Sequence, residues 1–146
     1  MFLACRTPEK EKTAIASLQS EFPDKQFDFV QLDVSDIDSV TAFPAKLAAI
    51  TPVIDLLVNN AGVTRAQLLM RMSEEDWEPV LDTNLRSVYR LSKACLRGMM
   101  KARTGRIINI SSVIGSTGNA GQENYAAAKA GTVGSARSWA RAVGSM

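Results

Sequence analysis

Histidine is absent from this 146-residue chain, and cysteine occurs only twice, at Cys5 and Cys95. Without an imidazole, a Ser-His triad lacks its base. The two distant thiols have no metal-ligand spacing, so a zinc site also lacks its usual parts. They imply no disulfide framework either, and a reducing compartment is the simpler assumption. No apolar run approaches the roughly 18 residues that a membrane span requires, and the opening MFLAC lacks the long apolar core of a signal peptide. The chain therefore reads as soluble and unsecreted, with no membrane partner. Net charge is only +2, and its 17 basic and 15 acidic side chains are interspersed. No basic stripe is present for a nucleic acid to follow. What the chain does have is core material: 46% of its residues are hydrophobic against 22% charged, which fits one globular domain over 1–146.

The order of elements follows from periodicity. TPEKEKTAIASLQSEF places Pro8 near a helix start and Ala14, Ile15, Leu18 and Phe22 at helical spacing. KQFDFVQLDV, with Phe27, Phe29, Val30, Leu32 and Val34, reads as a strand. In SDIDSVTAFPAKLAAI, Ser35 or Asp36 caps a helix whose face carries Ile37, Val40, Leu47 and Ile50, and Pro44 is expected to kink or interrupt it. VIDLLVNNAG is an apolar run that stops at Asn59, as a strand buried on both faces of a parallel sheet does. Ser73 caps the next helix, where Glu74, Glu75 and Asp76 complement the dipole and Trp77, Val80, Leu81, Leu85, Val88, Cys95 and Met99 form a stripe. Pro79 removes one hydrogen bond early in it. GRIINISSVIG gives another buried strand, and a loop with Gly115, Gly118 and Gly121 leads into a final helix. Alternating strands and helices predict a doubly wound α/β sheet.

Such sheets bind ligands beyond the carboxyl ends of their strands. That rule selects Asp33 and Val34, then Asn60, Ala61 and Gly62, then Ser111 and Ser112. Asn84 stands out because asparagine is a poor helix former and costly to bury unpaired. It reads as a functional residue or, more plainly, as a satisfied core amide or a partly exposed residue. In ENYAAAKAG, Tyr125 and Lys129 lie at i and i+4 in an alanine-rich helix and should share one face. A phenol titrates near ~10, so acid or base work near neutrality calls for a cation beside it and further helpers. A surface tyrosine beside a solvated lysine is the plainer alternative.

Together, NNAG, TNL, INISS and YAAAK resemble the short-chain dehydrogenase/reductase family over essentially the whole chain. Tyr125 falls thirteen residues after Ser112, and Asn84 twenty-eight before it, as that family's pattern expects. The connecting text resembles the 3-oxoacyl-[acyl-carrier-protein] reductase branch. The resemblance implies that Tyr125 donates a proton to a ketone oxygen, Ser112 hydrogen-bonds that oxygen, Lys129 assists the phenol and holds the nicotinamide ribose, and Asn84 anchors a water leading to Lys129. It further implies that Asp33 and Val34 contact the adenine, and that Asn60, Ala61 and Gly62 run beside the ribose. An arginine at Arg6, where NAD-preferring members place an acid, suits a 2′-phosphate, so NADPH/NADP is expected rather than NAD. An acyl-carrier protein or acyl thioester is the implied partner. Arg103 and Lys101 lie near where related reductases receive the carrier, or form an ordinary exposed basic loop. A dimer or tetramer would pack through the helices carrying Asn84 and Tyr125, the latter kept slim by Ala130, Gly131, Gly134 and Ala136. Leu68, Leu69, Met70 and Met72 either cover the substrate entrance, contact a neighbouring subunit or fill core. The implied compartment is cytoplasmic, or an organellar matrix or stroma if a targeting segment lies upstream.

The chain departs from the family at both ends. The glycine turn T-G-x-x-x-G-x-G and the strand before it have no counterpart, and the text stops at ARAVGSM. The expectation is a partial Rossmann-like sheet lacking its first strand, that turn and its C-terminal strands. Either two half-sheets with open inner edges result, or the flanking strands close up directly. Function is expected to be NADPH-dependent reduction of a 3-oxoacyl thioester in fatty-acid synthesis. The alternatives are a reductase of other ketones or sugars, and an inactive form that acts through a full-length relative.

Overall fold

The computed structural model describes residues 1–51 and 53–144, with the side chain of Pro8 excepted, so the last two residues of ARAVGSM lie outside it. Its contacts divide the chain into two compact units, Met1–Ile50 and Thr51–Met146. Both are α/β with parallel strand pairing, a partial Rossmann-like arrangement.

The first unit runs β1 (Phe2–Cys5), α1 (Pro8–Glu21), β2 (Asp28–Gln31) and α2 (Ile37–Ala48). β1 and β2 pair in parallel, Phe2 opposite Asp28 and Cys5 opposite Gln31. Asp36 is the residue that caps α2, its carboxylate accepting from the Asp38 N–H at 2.9 Å. The core of the unit is Val30, Leu32, Val40, Phe43 and Leu47. Two expectations fail here. α2 continues through Pro44, and its buried face uses Phe43 while Ile37 and Ile50 are about half exposed. Pro44 removes a single N–H from the helix, a local loss that the packed face formed by Val40, Phe43 and Leu47 on either side of it outweighs.

The second unit runs β3 (Leu56–Asn59), a single 3₁₀ turn (Leu69–Arg71), α3 (Glu74–Leu81), a π-helical turn (Asp82–Arg86), α4 (Ser87–Ala102), β4 (Arg106–Asn109), α5 (Ile114–Thr117) and α6 (Glu123–Val143). β3 and β4 are parallel, Leu56 opposite Arg106 and Asn59 opposite Asn109. Among the described residues, each unit thus holds one two-stranded parallel sheet. The expectation that β3 and β4 are buried on both faces is not met. Leu57, Asn59, Ile107 and Asn109 face inward, but Leu56, Val58, Ile108 and Ile110 are 43–52% exposed.

α3 begins where Ser73 donates from both its N–H and its hydroxyl to the Asp76 carboxylate. Pro79 leaves the carbonyl of Glu75 without its helical donor, and the Arg65 guanidinium takes it at 2.8 Å. The π turn follows because Asn84 intervenes. Its side-chain amide, not only main chain, donates to the Val80 carbonyl at 2.8 Å, and the ladder shifts so that the Ser87 N–H reaches Asp82. Val80, Val88, Leu91, Cys95 and Met99 then form the buried stripe of α3 and α4, and burial pushes the Cys95 thiol pKa up. Among the described residues, no helix is long and apolar enough to cross a membrane.

The expected glycine loop contains the short helix α5. Gly115 lies so close to α6 that a Cβ there would sit 2.8 Å from the Ala130 nitrogen, while Gly118 and Gly121 take φ of +71° and +76° at the turns into α6. Gly131 has a similar packing role, since its absent side chain makes room for Leu85. Core packing is excluded for three of the residues in the 68–72 segment: Leu68, Leu69 and Met70 are exposed, Met70 completely.

Candidate active site

The second unit gathers most of the singled-out residues around one buried ammonium. Lys129 is 4% exposed, on the inner face of α6. Its Nζ donates to the Ile110 carbonyl at 2.7 Å, where the chain leaves β4. Burial pushes its pKa below the ordinary lysine value. The Ser111 hydroxyl donates to the Lys129 carbonyl at 3.1 Å, tying the same turn to the same residue. Lys129 Nζ lies 5.6 Å from the centroid of the Tyr125 ring, one helical turn earlier. The two do share a face, and the plainer alternative of a solvated lysine is excluded. Tyr125 itself is partly exposed, so one end of the pair reaches solvent while the other is packed.

Asn84 is fully buried in the π turn. Its Nδ2 donates to the Val63 and Val80 carbonyls, each at 2.8 Å, and its main-chain carbonyl accepts from Thr132 of α6 at 3.2 Å. Its Oδ1 has no partner among the described residues. A buried acceptor left unpaired is costly, so Asn84 is neither a fully satisfied core amide nor a partly exposed residue. Gly62 borders the same space: a Cβ at this position would be 2.7 Å from Asn84 Oδ1 and 3.9 Å from Lys129 Nζ. Asn60, Ala61 and Gly62 leave β3 as an exposed segment. Asn59 before them is buried, donating to Asn109 Oδ1 at 2.8 Å and Ser92 Oγ at 3.1 Å, which fixes where the segment starts.

Ser112 lies two residues beyond Ile110 and two before α5. Its Oγ accepts from the Ile114 N–H at 3.3 Å and its hydroxyl proton is uncommitted among the described residues.

Arg6, Asp33 and Val34 belong to the first unit. Arg6 Nε is 4.0 Å from Asp33 Oδ2, with the arginine side chain 74% exposed, an ion pair of little energetic weight. The Asp33 carboxylate accepts from the Ser35 hydroxyl at 2.6 Å and the Ser35 N–H at 2.9 Å. The Ser35 hydroxyl bond is the main reason its pKa is lowered, with Arg6 adding to it. Val34 is half-buried beside it.

Three features escape a sequence reading. Asn124 is fully buried and donates to the carbonyls of Arg65 and Asp76, at 3.0 and 2.8 Å, joining the segment after Gly62 to α3 and α6. The signal is an asparagine within a helix, as it is for Asn84. Ser92 and Asn109 carry polar links that no spacing announces. Finally, α4 holds a second tyrosine and lysine four apart, Tyr89 and Lys93, whose Nζ donates to the phenol oxygen at 3.2 Å. Both are exposed.

The residues present suit a nicotinamide nucleotide. Asn84 Oδ1 is an acceptor without a partner among the described residues, Gly62 packs directly against it, and both lie beside the buried Lys129 cation, where an exposed strand-end segment arrives.

Comparison with known proteins agrees. The family model described as short chain dehydrogenase matches residues 1–146. Similar curated proteins include the 3-oxoacyl-[acyl-carrier-protein] reductase FabG of Vibrio harveyi, 51% identical over 130 residues, covering 89% of this chain and 53% of that protein. The same-named protein of Vibrio cholerae is 58% identical over 117 residues, 78% of this chain and 47% of the relative. That of Escherichia coli is 54% identical over 116 residues, 80% and 48% respectively. The chain spans about half the length of the curated relatives it matches.

Proposed function

This chain belongs to the short-chain dehydrogenase family, and from that premise we propose that it serves an NADPH-dependent reduction of 3-oxoacyl thioesters to 3-hydroxyacyl thioesters. The observation that carries the proposal is the buried Lys129 ammonium set against the Tyr125 ring, with Gly62 and the unpartnered Asn84 Oδ1 beside it. The names of the relatives support the 3-oxoacyl substrate class and an acyl-carrier partner.

Within this reading residues 1–146 act as one nucleotide-binding domain. Tyr125 gives its phenolic proton to the ketone oxygen as negative charge develops there. Ser112, whose hydroxyl proton is uncommitted, donates a hydrogen bond to the same oxygen. The Lys129 ammonium favours the phenolate left behind, an effect strengthened by its burial in a low-dielectric setting. Asn84 Oδ1 accepts from a water that returns a proton toward Lys129 and Tyr125. In the second unit Lys129, Tyr125, Asn60, Ala61 and Gly62 are assigned to the nicotinamide side of the nucleotide; in the first, Asp33, Val34 and Arg6 carry the character of an adenosine-side site. The exposed Arg6 guanidinium, only loosely paired, favours a 2′-phosphate and therefore NADPH over NADH. The nicotinamide supplies the hydride. Self-association through the helices carrying Asn84 and Tyr125, in a cytoplasm or organellar matrix that contains acyl carrier, completes the reading.

The test is consumption of NADPH by the full chain with an acetoacetyl thioester, on acyl-carrier protein and on coenzyme A, against cyclohexanone. Faster turnover of the thioesters, with NADPH preferred over NADH, is expected. Preference for the simple ketone, or a folded chain that consumes no NADPH with either, rejects the assignment.

A further inference from the structure

Beyond β3 the chain crosses the second unit as an irregular strap, residues 62–67, and alternate positions of it are tied down. The Val63 and Arg65 carbonyls accept from the side-chain amides of Asn84 and Asn124, and the Gln67 N–H donates to the Gly121 carbonyl at 2.9 Å. The two asparagines are built into the unit in the same way. Asn84 directs its second N–H to the Val80 carbonyl and Asn124 to the Asp76 carbonyl, each at 2.8 Å. Asp76 and Val80 are about one turn apart on α3. Two amide rungs therefore join the strap to α3, one from 63 to 80 and the other from 65 to 76.

The rungs differ in their oxygens. Asn84 Oδ1 has no partner among the described residues, whereas Asn124 Oδ1 accepts from the Tyr125 N–H at 2.7 Å. That N–H belongs to the first turn of α6, where a helix supplies no acceptor of its own. Asn124 is fully buried, and with both N–H groups engaged it has no donor left for a substrate or nucleotide. Whatever it contributes to chemistry passes through its partners. Those are the main chain of Tyr125 and, through Arg65, the strap that begins at Gly62. Lys129 is anchored separately, by the Ile110 carbonyl and the Ser111 hydroxyl. Removing the Asn124 amide should disturb the phenol and leave the ammonium where it is.

We propose that Asn124 is a positioning residue for Tyr125, its amide fixing the first turn of α6 against the strap and α3 so that the phenol and Gly62 keep one relative placement. The kinetic consequence rests on the reductase reading, in which Gly62 lies on the nicotinamide side and Tyr125 delivers the proton.

The test compares the full chain with Asn124→Ala and with Leu91→Ala, a buried α4 position that serves as a control for lost stability. With an acetoacetyl thioester, Asn124→Ala should lower kcat by about 10–10²-fold, the scale of a small misplacement of reacting groups. KM for NADPH should stay within about twofold, because Lys129 keeps its anchors. The isotope effect on kcat with NADPH deuterated at the transferred hydrogen should rise, since chemistry then limits turnover more fully. Leu91→Ala loses folded protein without raising that isotope effect. A second readout needs no turnover. In a Tyr89→Phe chain Tyr125 is the sole tyrosine, and 3-fluorotyrosine placed there gives one reporter of the phenol's surroundings. Its fluorine line should move or split with Asn124→Ala and stay in place with Leu91→Ala. If Asn124→Ala does not fold, Asn124→Ser, whose hydroxyl keeps one donor, carries the same measurements. The proposal is overturned if kcat is unchanged, if the isotope effect follows that of Leu91→Ala, or if the fluorine line does not respond. A parent chain that reduces no thioester rejects the reductase reading alone, and the fluorine line then decides whether Asn124 places Tyr125.

Discussion

Gly62 and Asn84 fit against each other only because position 62 carries no side chain: a Cβ would stand 2.7 Å from Asn84 Oδ1. Asn84 cannot swing aside cheaply, since its Nδ2 is held by both Val63 and Val80. Gly62→Ala should therefore destabilise the chain by about 1–3 kcal/mol, the usual cost of overpacking. The penalty should shrink in an Asn84→Ser background, where the shorter side chain leaves room. Urea unfolding of the four proteins measures this coupling. Equal penalties in both backgrounds would show that the two residues do not press on one another.

Two tyrosine-lysine pairs at the same spacing make opposite predictions. Lys129 is buried and anchored on Ile110, while Lys93 is exposed beside Tyr89. If the reductase assignment holds, Tyr125→Phe lowers turnover of a 3-oxoacyl thioester by about 10²–10⁴-fold, the range for a lost general acid. Tyr89→Phe should leave it unchanged. Steady-state rates of the two variants decide the matter, and comparable losses would contradict the placement of the chemistry at Tyr125.

The sequence pattern makes the alternation of strands and helices legible, along with the Asp36 cap and the shared face of Tyr125 and Lys129, because these depend on neighbours a few residues apart. It does not reveal what depends on long-range packing. Val58 and Ile108 read as buried on apolarity alone, yet only one face of their two-stranded sheet is covered. Pro44 reads as a break, yet α2 buries Val40, Phe43 and Leu47 around it. The π turn is similarly hidden, since it depends on the Asn84 amide entering the backbone ladder. Among the site residues, Asn84 and Lys129 stand out as helix residues with a polar purpose. Asn124 gives the same signal and is overshadowed by the tyrosine that follows it.

Asn124 bridges three segments, and its loss should be felt in all of them. Asn124→Ala leaves the Arg65 and Asp76 carbonyls without the side-chain donor that reaches them at 3.0 and 2.8 Å. A cost of about 1–3 kcal/mol is expected, since two part-buried hydrogen bonds worth roughly 0.5–1.5 kcal/mol each are lost. Asn124→Asp should be worse, because it turns a carboxylate toward two carbonyl oxygens. Limited proteolysis should then cut the exposed 60–68 segment faster in both variants. Unchanged cleavage together with unchanged urea midpoints would remove Asn124 from any positioning role.

Lys129 gives the alkaline stability profile its sign. Burial lowers its pKa in the folded chain below the ordinary 10.5, so over the interval between the two values the unfolded chain binds more protons. Stability therefore rises with pH across that interval and is flat on either side of it as far as this group is concerned. At lower pH the folded state bears the full cost of holding a buried ammonium, offset by the bond to the Ile110 carbonyl at 2.7 Å. Lys129→Met removes both the charge and that bond. Loss of the bond shifts stability by a constant, whereas loss of the titrating group changes the slope. Urea midpoints of parent and variant, followed from about pH 8 to pH 11, should converge or cross in the direction of a parent that gains on its variant as pH rises. Parallel profiles would mean that the Lys129 ammonium carries no burial cost, and the electrostatic basis for its action on Tyr125 would be lost with it.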